Sequence, residues 1–261
     1  MKGIIVAAGM GSRLMPLTQD KPKCMLPVKE KPLIEWTIDN MKSFGCDEII
    51  VIDGYKKEAL FCDNATRITN IDYMNNNILH SLMCAKEHMN EAVIVSYSDI
   101  WVEPNVYQRL LDTTGDFVIA VDEDWKAYYN NRNEHPIDEA ENVLYESKIV
   151  SRIGKHINNK ELSSQLGEFL GLWYMSEKGS QIFCDVFDKL NNSLLPNDKF
   201  QQANRWHSSY ITDLFQELVD SGHEINCATI KKSWAEIDTN EDYNRLLEVA
   251  YEQHLWTLCD K

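Results

Sequence analysis

Two hydrophobic periods alternate along the first half of the chain. Runs that are apolar almost throughout predict buried strands at Ile4 to Ala8, Glu48 to Asp53, Ala92 to Ser96 and Asp116 to Val121. Between them, apolar residues recur three and four apart. That spacing predicts helices over Leu33 to Phe44, Leu79 to Met89 and Val106 to Leu111. Strands without a polar face need cover on both sides, so the alternation predicts an α/β fold with a mostly parallel central sheet flanked by helices.

Beyond residue 120 the pattern loosens. Trp125 to His135 is polar and aromatic with no clean period. Val143 to Ile153 and Phe169 to Met175 read as strands, and Ser180 to Leu190 as a helix. Asn191 to Asn204 reads as loop, Ile211 to Ser221 as a helix closed by Gly222, and Ile225 to Ile230 as a strand. Thr239, with Asp242 three residues on, forms an approximate capping box for a last helix.

Composition narrows the function classes. The chain has 261 residues, enough to bury a core without disulfides. No apolar run approaches the roughly 20 residues that span a bilayer, so no membrane insertion is expected. The N-terminal Met1-Lys2-Gly3-Ile4-Ile5-Val6 reads as a buried strand rather than a signal peptide. The seven cysteines are an odd number with no C-x-x-C spacing, and suit small core hydrophobes. A cytoplasmic protein is expected. The net charge of −15 argues against nucleic acid as a partner. An anionic ligand would need local positive charge, and Arg13, Lys21 and Lys23 near the N-terminus can supply it.

The first strand runs into Ala7-Ala8-Gly9-Met10-Gly11-Ser12-Arg13. A glycine loop after a strand lets backbone N–H groups approach a phosphate, and an arginine adds a planar fork of donors. Alone, G-x-G fits a dinucleotide fold, a P-loop or a plain tight turn. Leu14 occupies the third glycine position of the dinucleotide fingerprint, and no Gly-Lys-Ser/Thr follows. The longer string continues through Pro16-Leu17-Thr18 to Pro22-Lys23-Cys24-Met25-Leu26-Pro27-Val28. It closely resembles the signature of the nucleotidyltransferases that activate sugar phosphates and choline phosphate: A-A-G-x-G-x-R-x-x-P-L-T and, shortly after, P-K-x-x-L-P-V.

That resemblance implies a Rossmann-like domain over residues 1–261. Residues 1–120 would form a nucleotide-binding half, 121–180 a small acceptor-binding region, and 181–261 C-terminal helices with a metal ligand. It implies that Ala7, Ala8, Gly9, Gly11, Ser12 and Arg13 hold the nucleotide. Arg13 and Lys23 would act in catalysis, Lys23 against the α-phosphate. Asp99 ends a strand in Ser96-Tyr97-Ser98-Asp99, where the family holds a catalytic Mg²⁺; many sugar-specific members read Gly-Asp there. Trp234-Ala235-Glu236-Ile237-Asp238-Thr239-Asn240-Glu241-Asp242-Tyr243 resembles the family's second metal element. Asp238 is the expected second ligand and Glu236 its competitor. Asn77-Ile78-Leu79-His80-Ser81-Leu82 resembles an element of the cytidylyltransferase subset. Asn77 and Ser81 share a helical face and would read the pyrimidine and ribose.

The expected substrates are therefore CTP and a small phosphate or phosphonate acceptor of the phosphocholine or 2-aminoethylphosphonate type. A homodimer is compatible with this. Trp125, Tyr129, Arg132, His135, Glu168 and Trp173 are the candidate acceptor residues. The rings and carboxylate would suit a cationic group, and Arg132 the acceptor's anionic end. The rival enzyme is a sugar-1-phosphate nucleotidyltransferase. The non-enzymatic rival is a silent nucleotide-binding subunit, disfavoured because Lys23, Asp99 and Asp238 are all present.

Overall fold

The computed structural model describes residues 1–130, 132–157 and 163–252. Among these described residues, thirteen strands and seven α-helices follow in chain order. The strands are β1 Lys2–Val6, β2 Pro27–Val28, β3 Lys31–Pro32, β4 Glu48–Asp53, β5 Thr66–Thr69, β6 Val93–Tyr97 and β7 Ile100–Val102, then β8 Phe117–Asp122, β9 Asn142–Glu146, β10 Ile149–Gly154, β11 Gln165–Met175, β12 Asn226–Ile230 and β13 Trp234–Glu236. The helices are α1 Leu33–Ser43, α2 Ile78–Met83, α3 Pro104–Asp112, α4 Trp125–Tyr128, α5 Glu177–Ser193, α6 Ile211–Asp220 and α7 Asn240–Glu252.

A nine-stranded sheet in the order β5-β4-β1-β6-β11-β8-β12-β10-β9 spans the molecule. β5, β4, β1 and β6 are parallel neighbours, as are β8 and β12. β11 lies antiparallel between β6 and β8, and β10 antiparallel between β12 and β9. The sheet is thus mixed, and the expectation of a mostly parallel sheet holds best for its N-terminal strands. β11 is apolar on both faces because it is enclosed between two strands and two helical layers, so its pattern cannot report its direction.

Alternation along β1 shows why the strands read as continuous apolar runs. Ile4 and Val6 enter one core with Leu79, Leu82, Phe183 and Phe215. Ile5 and Ala7 enter the other with Ile34, Ile38, Val106 and Leu110. Each fully buried large aliphatic side chain contributes about 1.5–3 kcal/mol. Both layers therefore hold the sheet's C-terminal edge in place, and ligands bind along that edge in open α/β sheets.

Several elements differ from the expected ones. The strand expected over Val143 to Ile153 is a hairpin, β9–β10, turning at Ser147 and Lys148, both of positive φ. The helix expected over Leu79 to Met89 ends at Met83, and a 3₁₀ turn follows at Lys86–His88. β7 and β13 are too short to carry a period, and they pair with each other as a separate two-stranded ribbon. Thr239 and Asp242 do form the reciprocal cap: Asp242 N–H donates to Thr239 Oγ1 at 3.2 Å, and Thr239 N–H to Asp242 Oδ2 at 2.9 Å.

Candidate active site

The edge of the sheet opens into a cleft with two lobes. The smaller, of about 200 Å³, is lined by Ala8, Gly9, Gly11, Tyr73, Asn76, Asn77, Ser81 and Asp99 among others. The larger, of about 370 Å³, runs past Arg13 and Tyr97 to Tyr129, Glu141, Glu168 and Trp234. Gly9, Gly11, Lys23, Asn77 and Asp99 line both lobes.

The glycine loop leaves β1 at its C-terminal end. Gly11 has φ 57°, and a Cβ there would stand 3.1 Å from Lys23 Cβ. A side chain at position 11 would thus be strained and would crowd the lysine. Pro22 precedes the 3₁₀ turn that carries Lys23, fixing the backbone there.

Lys23 is the electrostatic centre. Its Nζ lies 2.8 Å from Asp99 Oδ2 and 2.7 Å from Asp238 Oδ1. Burial by itself lowers its pKa, but Asp99 and Asp238 outweigh this and raise it, so the ammonium stays charged. Arg13 Nη2 donates to Asp238 Oδ2 at 2.5 Å, and its Nη1 lies 3.7 Å from Glu139. Asp238 resists burial, which would raise its pKa; Lys23 and Arg13 hold it below the usual carboxylate value.

The β7–β13 ribbon explains how residues so far apart in sequence meet. Glu236 pairs with Ile100, and Ile237 N–H donates to the Asp99 carbonyl at 2.8 Å. That register sets Asp238 beside Asp99 at the mouth of the parallel strands. Glu236 also lines the larger lobe, and it lies 3.0 Å from Arg132 Nη2. Its pKa is raised, by burial and then by Asp238. Asp99 Oδ1 is buried without a hydrogen-bond partner. His135, Glu236 and Asp238 also bring ligand atoms within 4.8 Å of one another.

Comparisons with known proteins fit this geometry. The sequence matches the model of the MobA-like NTP transferase domain over residues 3–169. The chain belongs to that family. This nucleotidyltransferase is 31% identical to the CTP:phosphoglutamine cytidylyltransferase of Campylobacter jejuni, over 97% of this chain and 100% of that one. It is 33% identical to the choline-phosphate cytidylyltransferase of Streptococcus pneumoniae, over 48% of this chain and 61% of the relative. Its fold matches that of the S. pneumoniae CTP:phosphocholine cytidylyltransferase with a TM-score of 0.68 at 22% identity, over 95% of this chain and 98% of the other. The inositol-1-phosphate CTP transferase of T. maritima gives 0.72 at 17% identity, with 96% of each chain covered.

The expected nucleotide residues of this nucleotidyltransferase divide in two. Gly9, Gly11, Ser12, Arg13, Lys23, Asn77, Ser81 and Asp99 all line the cleft. Ala8 lines the smaller lobe, whereas Ala7 is packed in the core with its N–H bonded to Ile52 O. Asn77 Nδ2 donates to Ser208 O at 3.0 Å. Ser81 donates to Asn77 O at 3.2 Å and accepts from Asn70 at 2.9 Å.

The expected acceptor residues divide more sharply. Tyr129, His135 and Glu168 line the larger lobe. Trp173 does not: it is fully buried between β6 and β8 and packs on Phe169 and Phe215. Trp125 is also buried, packing on Tyr129 and donating to Leu166 O. Arg132 is off the cleft wall. Its side chain is 0% exposed and bonds to Asp242 Oδ1 at 2.6 Å and Glu236 Oε2 at 3.0 Å. These three residues are corrected from acceptor contacts to supports, because the strand packing around Trp173, the contacts of Trp125 with Tyr129 and Leu166, and the buried Arg132–Asp242 pair consume their surfaces.

Tyr97, Glu141, Lys155, Phe169 and Tyr210 line the larger lobe and were not among the expected residues. Glu141 Oε2 accepts from Tyr97 OH at 3.2 Å, and its Oε1 accepts from Thr212 at 3.1 Å. Burial pushes its carboxyl up to about 7. No local pattern marks Glu141; it stands just before β9 among ordinary polar residues. Phe169 joins Glu168 on the wall because β11 is irregular between Phe169 and Trp173, around Gly171 with φ 76°.

Proposed function

We propose that this nucleotidyltransferase transfers CMP from CTP to a small acceptor that carries a phosphate or phosphonate. The observation that carries this reading is Lys23, clasped by Asp99 and Asp238 where the two lobes join. The cytidylyltransferase relatives support CTP as donor, one of them along its whole length.

The smaller lobe receives the nucleoside, with Asn77 and Ser81 beside it. The N–H groups of the glycine loop and Arg13 receive the β- and γ-phosphates. Lys23 and Arg13 then exchange their carboxylate partners for phosphate oxygens. An anionic oxygen of the acceptor attacks the α-phosphorus in line. The new O–P bond forms as the α–β bridging bond breaks, and pyrophosphate leaves with the electron pair. The attacking oxygen is already ionised, so no general base is required. Lys23 stabilises the charge that grows on the α-phosphate.

Asp99 and Asp238 offer hard carboxylate oxygens, one of them without a partner, and this donor set suits Mg²⁺. A bound Mg²⁺ would neutralise phosphate charge there. Asp238 is favoured over Glu236 as the second ligand because it stands beside Asp99 across Lys23, while Glu236 is taken up by Arg132. Among the described residues no helix is long and apolar enough to cross a membrane. The cysteines within the described residues are free; Cys259 lies outside them. Free thiols suit a reducing compartment, and the cytoplasm is the proposed location.

The test is pyrophosphate release from each nucleoside triphosphate against phosphocholine, 2-aminoethylphosphonate, phosphoglutamine and hexose 1-phosphates. CTP with one of the first three should support turnover. Release only with UTP or dTTP plus a hexose 1-phosphate would replace this reading with the sugar-nucleotide one.

A further inference from the structure

The ribbon that carries Asp238 is held on one side by β7. Ile237 N–H donates to Asp99 O at 2.8 Å, and Glu103 N–H donates to Ser233 O at 2.9 Å. The N–H and C=O of Glu236 face away from that strand, and the ribbon has only two strands. β13 is three residues long, too short to keep a register by itself. Backbone groups on its outer edge need partners from elsewhere.

One side chain fills that edge. Tyr128 OH accepts from Glu236 N–H at 2.9 Å and donates to Glu236 O at 3.3 Å. A single hydroxyl thus does what a neighbouring strand would do. The Tyr128 ring stacks on Trp234 of the same strand, with centroids 5.0 Å apart.

Arg132 supplies a second hold. Its Nε donates to Asp242 Oδ1 at 2.6 Å, and Asp242 Oδ2 accepts from Asp238 N–H at 3.2 Å and Thr239 N–H at 2.9 Å. Nη2 of Arg132 also reaches Glu236 Oε2 and His135 Nδ1, each at 3.0 Å. The chain is therefore gripped at Glu236 and again at Asp238. Tyr128, Arg132 and Asp242 line neither lobe of the cleft.

We propose that Tyr128 and Arg132 are positioning residues for Asp238, holding its carboxylate opposite Asp99 without touching substrate. The inference rests on the reading of Asp238 as the second carboxylate of the transfer site and adds what fixes its place. Mg²⁺ demands near-ideal geometry, so a carboxylate two residues beyond a short strand must be kept from swinging. Tyr129 and His135, neighbours of these two residues in the chain, stand on the cleft wall. The acceptor side and the metal carboxylate are thereby parts of one frame.

The experiment compares the wild type with Tyr128→Phe and Arg132→Lys. The first keeps the ring on Trp234 and removes only the hydroxyl. The second keeps a charge beside Asp242 and removes the fork. Tyr145→Phe is the control: it also deletes a hydroxyl bonded to a carboxylate, Glu123 at 3.2 Å, but Tyr145 lines neither lobe. Mn²⁺ binding is read by electron paramagnetic resonance without nucleotide or acceptor, and Asp238 is located in metal-free crystals of each protein. Mn²⁺ affinity should fall by about 10- to 100-fold in both variants, the usual cost of losing a group that orients a metal ligand, and stay unchanged in the control. In the crystals Asp238 should leave its contact with Lys23 in the variants alone. Unchanged Mn²⁺ affinity in folded Tyr128→Phe, an equal loss in Tyr145→Phe, or Asp238 unmoved in both variants would each overturn the proposal. Tyr128→Phe decides it even if Arg132→Lys does not fold. Wild-type Mn²⁺ affinity in Asp238→Asn would instead refute the metal reading of Asp238, and the crystals would then decide its positioning.

Discussion

The two ends of the cleft handle charge in opposite ways. At the proposed phosphate end, Lys23 and Arg13 are neutralised by Asp99 and Asp238. At the proposed acceptor end, Glu141 is half-buried and Glu168 buried, neither makes an ion pair among the described residues, and desolvation raises the pKa of both. The proposed phosphate site lies in a chain of net charge −15, where many carboxylates compete for its two cations. Fixed ion pairs settle that competition and hold the side chains near the geometry that the substrate needs. The proposed acceptor end instead leaves its carboxyls to desolvation, which favours their neutral forms. The difference teaches that acidic residues of one cleft can be held by ion pairs at one end and left to desolvation at the other.

The sharpest way to break the comparison is to remove the carboxylates at the phosphate end. Asp99→Asn and Asp238→Asn should each leave no measurable metal-dependent turnover while circular dichroism shows an intact fold. Glu236→Gln should be far milder. If Glu236→Gln is dead and Asp238→Asn active, the second metal ligand is Glu236.

Next in size is Lys23→Ala. Loss of one preorganised charge contact should lower kcat by about 10²- to 10³-fold, with a smaller change in CTP affinity. Single-turnover rates and nucleotide binding separate the two. Unchanged turnover would remove Lys23 from the reaction.

Arg132 tests where the acceptor end stops. Its side chain is fully buried against Asp242, so Arg132→Met would strand a buried carboxylate and should cost roughly 3–5 kcal/mol in denaturant unfolding. The acceptor KM of the folded fraction should move little. A large rise in that KM at unchanged stability would make Arg132 an acceptor contact after all.

The smallest effect concerns Glu141. Its carboxyl is pushed up to about 7 by burial, against about 4.3 in an unfolded chain. The native state therefore holds this proton more tightly, and its contribution to stability falls as pH rises between those values. Glu141→Gln removes that penalty. Melting temperatures should favour the variant, relative to wild type, increasingly from pH 5 to pH 8. A constant difference across that range would show that Glu141 does not titrate there.

The contrast between the lobes also marks how far the sequence could be read. The phosphate end comes from contiguous strings. Gly9 to Arg13 and Pro22 to Lys23 sit on one loop after β1, and a short run of chain fixes their relation. The carboxylates were legible for another reason: Asp99 ends an apolar strand and Asp238 stands in a string that resembles the family's second metal element, so both could be named although they are far apart. The acceptor end was only half legible. Aromatics in a region without a clean period do not say whether they face a cleft or a core. Trp125 and Trp173 went to the core, while Phe169 and Tyr97 reached the wall.

By itself the sequence determined the α/β class, the glycine loop, the cation at position 23 and the carboxylates it meets. Local period and contiguous motifs carry that information. Only the tertiary structure decided that β11 runs antiparallel between β6 and β8, because a strand enclosed on all sides is apolar whichever way it points. Only it decided that Arg132 is a buried strut, since an arginine's role depends on which carboxylate reaches it, here one from α7. And only it showed Glu168 with one oxygen bonded and the other bare, because hydrogen-bond satisfaction is a property of neighbours that the chain brings together from distant positions.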